Sequence, residues 1–407
     1  MSSRISPSSK YRAYRSQADS LGQIFTPACF ADRLIANIGE TLSRKPQVLD
    51  LGAGRGALTA AAFRARPLAR AQLVEIDPER INELASIGLA RVEVLEADVL
   101  TLETSELLNP SLILSNPPFG HRRLCKEIAG DLAMCGLEIP SSGGWVRTDA
   151  AFVAKAWSLA RNGTTVGFIT ASPMMTDPGF RSFRSHLLPR LRGAVATRLP
   201  SAAFPGVEVS AFALTGQRAA SRRRGIVLQS VDYQGEVDRE VEVSIADAIE
   251  SLDINYHLAL RNLGMPTGRI ASTLGSIGCV VQRGSRSQAQ YRDLGLAAFH
   301  TSSFTTPHTN VTLKGARAGY NVASAGDILL SRVGTRCLDR HARVVKGAGL
   351  FTDCVYRLAA PERYRSQVWK TLSSGFGVEW RLANALGSCA KYLTVDALLG
   401  MPVDIRK

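Results

Sequence analysis

The tightest constraint on the fold is a short apolar run that ends in glycines. Gln47–Leu51 (QVLDL) has the composition of a buried strand and closes on Gly52-Ala53-Gly54-Arg55-Gly56, after which Ala57 to Arg66 is rich in alanine. A strand, a glycine turn and a helix in that order open a parallel βαβ unit, because parallel strands need a crossover. The pattern then repeats. Ala71–Ile76 reads as a second strand, Pro78–Ile87 as a helix, Val92–Leu95 as a third strand and Ser111–Ser115 as a fourth. Pro78 suits a first helical turn, where its missing N–H costs nothing. Ala150–Arg161 is expected as an amphipathic helix, Thr164–Thr170 as a fifth strand and Val207–Leu214 as a late one. Strands that alternate with helices predict a doubly wound parallel sheet.

The chain has 407 residues, 45% of them hydrophobic, which suits two or three globular domains. It contains no apolar stretch long enough to span a bilayer, and its seven cysteines are scattered, with no pair at CxxC spacing. A reducing cytoplasm, no metal site and no membrane association are therefore expected. Residues 1–20 are expected to form a basic, flexible arm. The net charge of +14 is unevenly spread. Residues 251–407 carry 20 Lys and Arg against 9 Asp and Glu, whereas residues 1–250 carry 29 against 26. The chain changes character near Arg222-Arg223-Arg224, and helical periodicity weakens after Leu260. We expect one domain over 21–250 and a second, basic one with short strands over 251–407. A basic domain beside a near-neutral one points to a polyanion, most often nucleic acid.

Four segments of the first domain carry chemistry. In Asp50-Leu51-Gly52-Ala53-Gly54-Arg55-Gly56 the glycines let the backbone approach a ligand, although the same pattern also makes a plain tight turn. Val74-Glu75-Ile76-Asp77 ends the second strand, and an acid there can take both ribose hydroxyls of an adenosine. Asp77 itself reads as a helix N-cap. Glu96-Ala97-Asp98-Val99 ends the third strand, where Asp98 can accept from an adenine amino group and Val99 can lie against the ring. Ligands of open α/β sheets bind at such carboxyl ends.

The fourth segment is Ser115-Asn116-Pro117-Pro118-Phe119-Gly120. Two prolines stiffen the loop and remove two N–H donors, so it offers acceptors and few donors. That chemistry suits a substrate bearing an NH2 group: the Asn116 side-chain oxygen takes one N–H, the Pro117 carbonyl the other, and Phe119 supplies a stacking face.

Together, Asp50–Gly56, Glu75, Asp98 and NPPF at 116–119 resemble the class I S-adenosylmethionine-dependent methyltransferases that act on amino nitrogens, a Rossmann-like α/β fold. Gly22-Gln23-Ile24-Phe25-Thr26-Pro27 resembles the segment preceding the cofactor motif in gamma-class N6-adenine DNA methyltransferases. The resemblance implies S-adenosylmethionine as cofactor. Phe25, Thr26, Pro27, Asp50, Gly52, Ala53, Gly54, Glu75, Ile76, Asp98, Val99 and Asn116 would surround it, and Asn116, Pro117, Pro118 and Phe119 would serve catalysis. Ala202-Ala203-Phe204-Pro205 resembles the family segment whose aromatic ring meets the extruded adenine, which implicates Phe204. The family's fused enzymes carry an N-terminal nuclease; with only about 20 residues ahead of Gly22, none is expected here.

Further on, Leu274–Ile277, Arg283-Gly284, Gly326–Thr335 and Tyr392–Val403 resemble one target-recognition domain of a type I restriction specificity subunit, an α+β domain. Arg283, Arg286, Arg332 and Arg336 are then expected on DNA, since Arg pairs bidentately with guanine and also binds phosphate. The resemblance thus implies site-specific adenine-N6 methylation of double-stranded DNA in a restriction–modification or related defence setting, by a monomer or dimer with or without a separate restriction subunit. NPPF also occurs in enzymes that methylate guanine N2 of rRNA or a protein glutamine, and cytosine N4 presents the same NH2 group. A non-catalytic specificity module is the remaining alternative, disfavoured because every motif is intact.

Overall fold

A computed structural model describes residues 23–403 apart from 87–90, 103–106, 138–143, 202, 206–208, 221–223, 263–271, 335–336 and 388–390. The expected arm over 1–20, and Gly22, Ala202, Arg222, Arg223, Thr335 and Arg336, lie outside the described residues. The chain divides into two compact units, one ending at Ile254 and the other beginning at Asn255.

In the first unit the strands are β1 (Gln47–Leu51), β2 (Arg70–Glu75), β3 (Val92–Glu96), β4 (Leu112–Ser115), β5 (His121–Arg123), β6 (Trp145–Arg147), β7 (Thr165–Ala171), β8 (Leu191–Arg198), β9 (Ala211–Arg218), β10 (Gly225–Val231) and β11 (Val237–Ser244). Among the described residues nine of them form one sheet in the order β11-β10-β8-β9-β7-β4-β1-β2-β3. The expected parallel sheet is in fact mixed: β9 runs antiparallel to both β7 and β8, and β11 antiparallel to β10. A strand buried on both faces reads as a continuous apolar run in either direction, so the sequence pattern does not reveal the reversal. The expected late strand also lies further along, at Ala211–Arg218.

Helix α1 (Ala28–Ile38) precedes β1, and the crossover helices are α2 (Ala57–Ala65), α3 (Pro78–Ser86), α4 (Lys126–Met134) and α5 (Thr148–Leu159). Helix α1 buries Phe30, Ala31, Leu34, Ile35 and Ile38, spacings that make one helical face. That face lies over β7, where Gly167 leaves room for Leu34: a Cβ at Gly167 would come within 2.7 Å of the Leu34 side chain. Helix α5 is not amphipathic, contrary to expectation. Every residue from Thr148 to Trp157 is buried, because α4 covers the side that the sheet does not. Lys155 survives there by donating to the Leu102 carbonyl at 2.8 Å.

The chain runs from β1 outward through β2 to β3, then returns to the other side of β1 as β4. This reversal opens a crevice between the carboxyl ends of β1 and β4, the usual ligand position in such sheets. Ser115, at the end of β4, donates its hydroxyl to the Leu51 carbonyl at 2.7 Å and ties the two lips together.

The second unit is α+β. Its strands are β12 (Val280–Arg283), β13 (Ala298–Phe299), β14 (His308–Leu313), β15 (Val322–Ser324), β16 (Ile328–Ser331), β17 (His341–Phe351) and β18 (Val355–Ala359). They are ordered β12-β18-β16-β17-β13, with β14 and β15 also on β17. Two expectations fail here. Strand β17 is 11 residues long, not short, and helices form over Arg365–Ser373 and Gly375–Ala383 despite the weak periodicity. Their burial comes from tertiary packing around Leu358, Val368, Leu372 and Trp380. Among the described residues of the chain, no helix is long and apolar enough to cross a membrane.

Candidate active site

The glycine turn after β1 is built from left-handed residues. Gly52, Gly54 and Gly56 have φ of 72°, 56° and 72°, a region that side-chain-bearing residues rarely adopt. The N–H groups of Gly52 and Ala53 both donate to the Val74 carbonyl, at 2.9 and 3.1 Å, so the turn is stitched to β2. Asp50 is 1% exposed and accepts the Thr59 hydroxyl of α2 at 2.7 Å. Burial pushes its carboxyl up to about 6, with Thr59 opposing the shift. Asp50 therefore braces the turn against α2 from inside.

Glu75 closes the carboxyl end of β2. Its Oε2 accepts from Gly54 N at 2.7 Å, and its Oε1 accepts from Ile76 N and Asp77 N at 2.8 and 3.0 Å. Ile76 beside it is 46% exposed, an uncovered apolar side chain at the strand end. Asp77 caps α3 as the sequence suggests, accepting from Glu79 N at 3.0 Å. It also accepts from Gln23 Nε2 at 2.8 Å, which holds its carboxyl below the usual range.

Asp98 is not open. Its carboxylate accepts Arg122 Nη1 at 3.2 Å, is ion-paired to Arg122 Nη2, and also accepts Leu100 N at 3.1 Å. Val99, expected against a ligand ring, is only 2% exposed.

Segment 23–27 knits these pieces together. Gln23 reaches Asp77, while the Phe25 ring lies 3.5 Å from where a Cβ on Gly54 would sit and beneath the Arg55 guanidinium, 4.5 Å from the ring centroid. The Pro27 carbonyl starts α1 by accepting from Phe30 N and Ala31 N. Asn116 Nδ2 donates to both the Ile24 carbonyl and the Thr26 hydroxyl, each at 2.8 Å. These two bonds fix which way the amide faces. Its Oδ1 is buried and has no hydrogen-bond partner. Among the described residues no backbone N–H donates to the Pro117 carbonyl either. The loop thus presents two acceptors without donors, and a buried acceptor left unpaired costs about 1–3 kcal/mol.

Phe119 is half-buried beside this pair and meets Phe204 edge to face, with centroids 6.2 Å apart and planes at 82°. Phe204 is 2% exposed, inside the core cluster that Phe119 borders. The sequence offers Phe119 as the stacking face and Phe204 through the family resemblance; in the structure Phe119 is the less buried partner and Phe204 the backing one. Pro118 lies between, half-buried, and its carbonyl accepts from Gly120 N.

Sequence reasoning missed Thr59, Ser115 and Arg122 and gave Gln23 no role. The Arg122 signal was present: His121-Arg122-Arg123 follows Gly120 at once.

In the second unit, three of the four expected arginines gather around one turn. Arg283 Nε donates to the Asp353 carbonyl at 3.1 Å, and Arg332 Nη1 to the same carbonyl at 3.3 Å. The Arg286 carbonyl accepts from Asp353 N at 2.8 Å, and its guanidinium lies 5.4 Å from the Tyr320 ring centroid.

Residues 31–135 match the methyltransferase small domain family. Over 193 residues the chain is 29% identical to the type II methyltransferase M.BsuBI of Bacillus subtilis, which covers 41% of this chain and 37% of that protein. Over 78 residues it is 41% identical to the tRNA1(Val) (adenine(37)-N6)-methyltransferase of Klebsiella pneumoniae, covering 18% of this chain and 32% of that one. The matches thus span about a third of the length of these relatives. Among solved structures, the type IIG restriction endonuclease BpuSI superposes with a TM-score of 0.51 at 12% identity, covering 93% of this chain and 58% of that one. The fold of the first unit is that of the class I S-adenosylmethionine-dependent methyltransferases.

Proposed function

We propose that this chain, whose residues 31–135 carry the methyltransferase small domain, is a site-specific DNA methyltransferase that transfers a methyl group from S-adenosylmethionine to the N6 of adenine. The observation that carries the reading is the Asn116 Oδ1: buried, fixed in direction by two bonds on Nδ2, and lacking a donor. An exocyclic NH2 supplies the donors that Oδ1 and the Pro117 carbonyl lack. The tRNA adenine-N6 relative supports a base amine over a protein amide. The basic second unit, with Arg283, Arg286 and Arg332 around one turn, supports DNA as the carrier of that base.

The residues around the crevice fit the cofactor. The left-handed glycines bring backbone close, Glu75 Oε2 accepts a single bond and keeps acceptor capacity for a ribose hydroxyl, and the exposed Ile76 offers an apolar contact for a flat ring. S-adenosylmethionine supplies a methyl group on a positively charged sulfur, electrophilic toward a nitrogen lone pair.

The chain's part is positioning and electrostatics. The adenine has to leave the duplex, because its N6 is otherwise paired. Phe119, braced by Phe204, takes the face of the extruded base. Asn116 Oδ1 and the Pro117 carbonyl accept its two N–H groups, orient the nitrogen and stabilise the positive charge that grows on it. Thr26 and the Ile24 carbonyl hold Asn116 in that pose. No protein nucleophile is required, and the Cys135 thiol is buried and pushed up to about 12, far from a thiolate.

The test is sequencing of DNA from cells with and without the gene by a method that reads modified bases, alongside methyl incorporation in vitro into DNA and tRNA. The reading predicts N6-methyladenine at a defined DNA motif, lost with Asn116→Ala. Labelling of tRNA alone, or of DNA cytosine, overturns it.

A further inference from the structure

Strands β5 and β6 stand outside the main sheet as a two-stranded antiparallel ribbon, and β5 starts one residue after Gly120. Its register pairs His121 with Arg147, Arg122 with Val146, and Arg123 with Trp145. Directly opposed residues share a face and successive pairs alternate. One face holds Arg122 and the buried Val146, and Arg122 is committed to Asp98. The other holds His121 and Arg147 at the base, then Arg123 and Trp145.

Arg147 is also committed. It grips Asp149, which is wholly buried at the start of α5, through Nε at 3.0 Å and Nη2 at 2.8 Å. Asp149 in turn accepts from Ala150 N at 3.0 Å. The ribbon is thereby fastened to α5, and the Gly120 carbonyl adds a bond from Thr148 N at 3.0 Å.

What remains is Arg123 and Trp145, side by side. Trp145 is 45% exposed, and Arg123 is exposed, its guanidinium without a hydrogen bond or ion pair among the described residues. An uncovered indole beside an uncompensated guanidinium on a rigid ribbon matches a base on one side and a phosphate on the other. Only six residues lie between Asn116 and Arg123, a reach of at most ~25 Å, so the pair falls within a few nucleotides of the target.

We propose that the outer face of the β5–β6 ribbon binds a nucleotide flanking the extruded adenine, with Trp145 stacking on its base and Arg123 holding its phosphate. This rests on the reading of the substrate as DNA.

The test uses the full chain, tritiated S-adenosylmethionine and sheared unmethylated genomic DNA. Trp145→Ala raises KM for DNA about tenfold and Trp145→Phe about twofold, while cofactor affinity by calorimetry is unchanged. Arg123→Ala lowers the slope of log affinity against log salt by about 0.9, one phosphate contact. DNA quenches tryptophan emission in the wild type and much less in Trp145→Phe at saturating DNA. If the wild type methylates DNA and both alanine variants match its KM and salt slope, the ribbon assignment fails alone. If the wild type binds and methylates no DNA, the underlying reading fails and takes this one with it.

Discussion

The side-chain amide of Asn116 donates to the hydroxyl of Thr26 at 2.8 Å, across 90 residues of chain. The bond gives the amide a direction. With Nδ2 occupied, Oδ1 is the atom left for a substrate.

That relationship predicts a graded response. Thr26→Val leaves only the Ile24 carbonyl to hold Nδ2, so kcat should fall about tenfold, as for one hydrogen bond, with KM for cofactor nearly unchanged. Asn116→Ala should cost a hundredfold or more in kcat while sparing cofactor binding. Steady-state kinetics decide it, and a Thr26→Val enzyme at the wild-type rate would refute the orienting role.

Glu75 has two duties, and they should separate. Its carboxylate satisfies three backbone N–H groups, of Gly54, Ile76 and Asp77, before any ligand arrives. Glu75→Ala should therefore lower the stability of the ligand-free protein by about 2–4 kcal/mol in urea denaturation, as well as abolish cofactor binding. Glu75→Gln should recover part of the stability and little of the binding. Full stability in Glu75→Ala would show that the three bonds contribute nothing.

Arg122 competes for Asp98. If Asp98 receives the cofactor's adenine amino group, the Arg122 pair has to open first. Arg122 is 38% exposed, so the cost is that of a solvent-screened pair, about 0.2–1 kcal/mol. Arg122→Ala should then tighten S-adenosylmethionine by up to about fivefold in calorimetry. Weaker binding would mean that Arg122 supports Asp98 rather than blocks it.

Acid should act on His341 and Asp50 in opposite directions. His341 is fully buried, with Nε2 2.9 Å from the Ser373 hydroxyl; burial, then Arg381, push its imidazole down to about 3. The unfolded chain thus binds the extra proton between about pH 3 and 6.5, and the stability of the neutral form, full above 6.5, is lost as pH falls. The stability difference between wild type and His341→Gln should shrink by about 1–2 kcal/mol from pH 7 to pH 5. Asp50, raised to about 6 by burial, behaves oppositely: the folded chain holds its proton longer, so stability falls as pH rises from about 4 to 6. Asp50→Asn should gain on wild type over that interval. Differences that do not vary with pH would rule both groups out.

The strands and helices around the crevice were legible because their signals are local. Gln47–Leu51 is bounded as its composition predicts, and Pro78 starts α3. The acids at 50, 75 and 98 and the loop at 116–119 could be aligned by counting strand ends. What those acids touch could not. Arg122 reaches Asp98 across 24 residues and Thr59 reaches Asp50 across nine, through contacts that no periodicity encodes. The burial of Val99 and Phe204 is equally tertiary, as is the burial of α5 on all sides, which depends on α4.

The stitching of segment 23–27 to Asp77 and Asn116 has a consequence for how the protein is made. A nascent chain emerges from its N-terminus, and the glycine turn and Glu75 come out well before β4 does. Until β4 has slotted in beside β1, Asn116 cannot reach the Ile24 carbonyl, and nothing orients its amide. Contacts of such sequence separation form late because the intervening loop must close first. The acceptor pair therefore takes its orientation only after β4 is in place, later than the glycine turn that β1 and β2 can form by themselves.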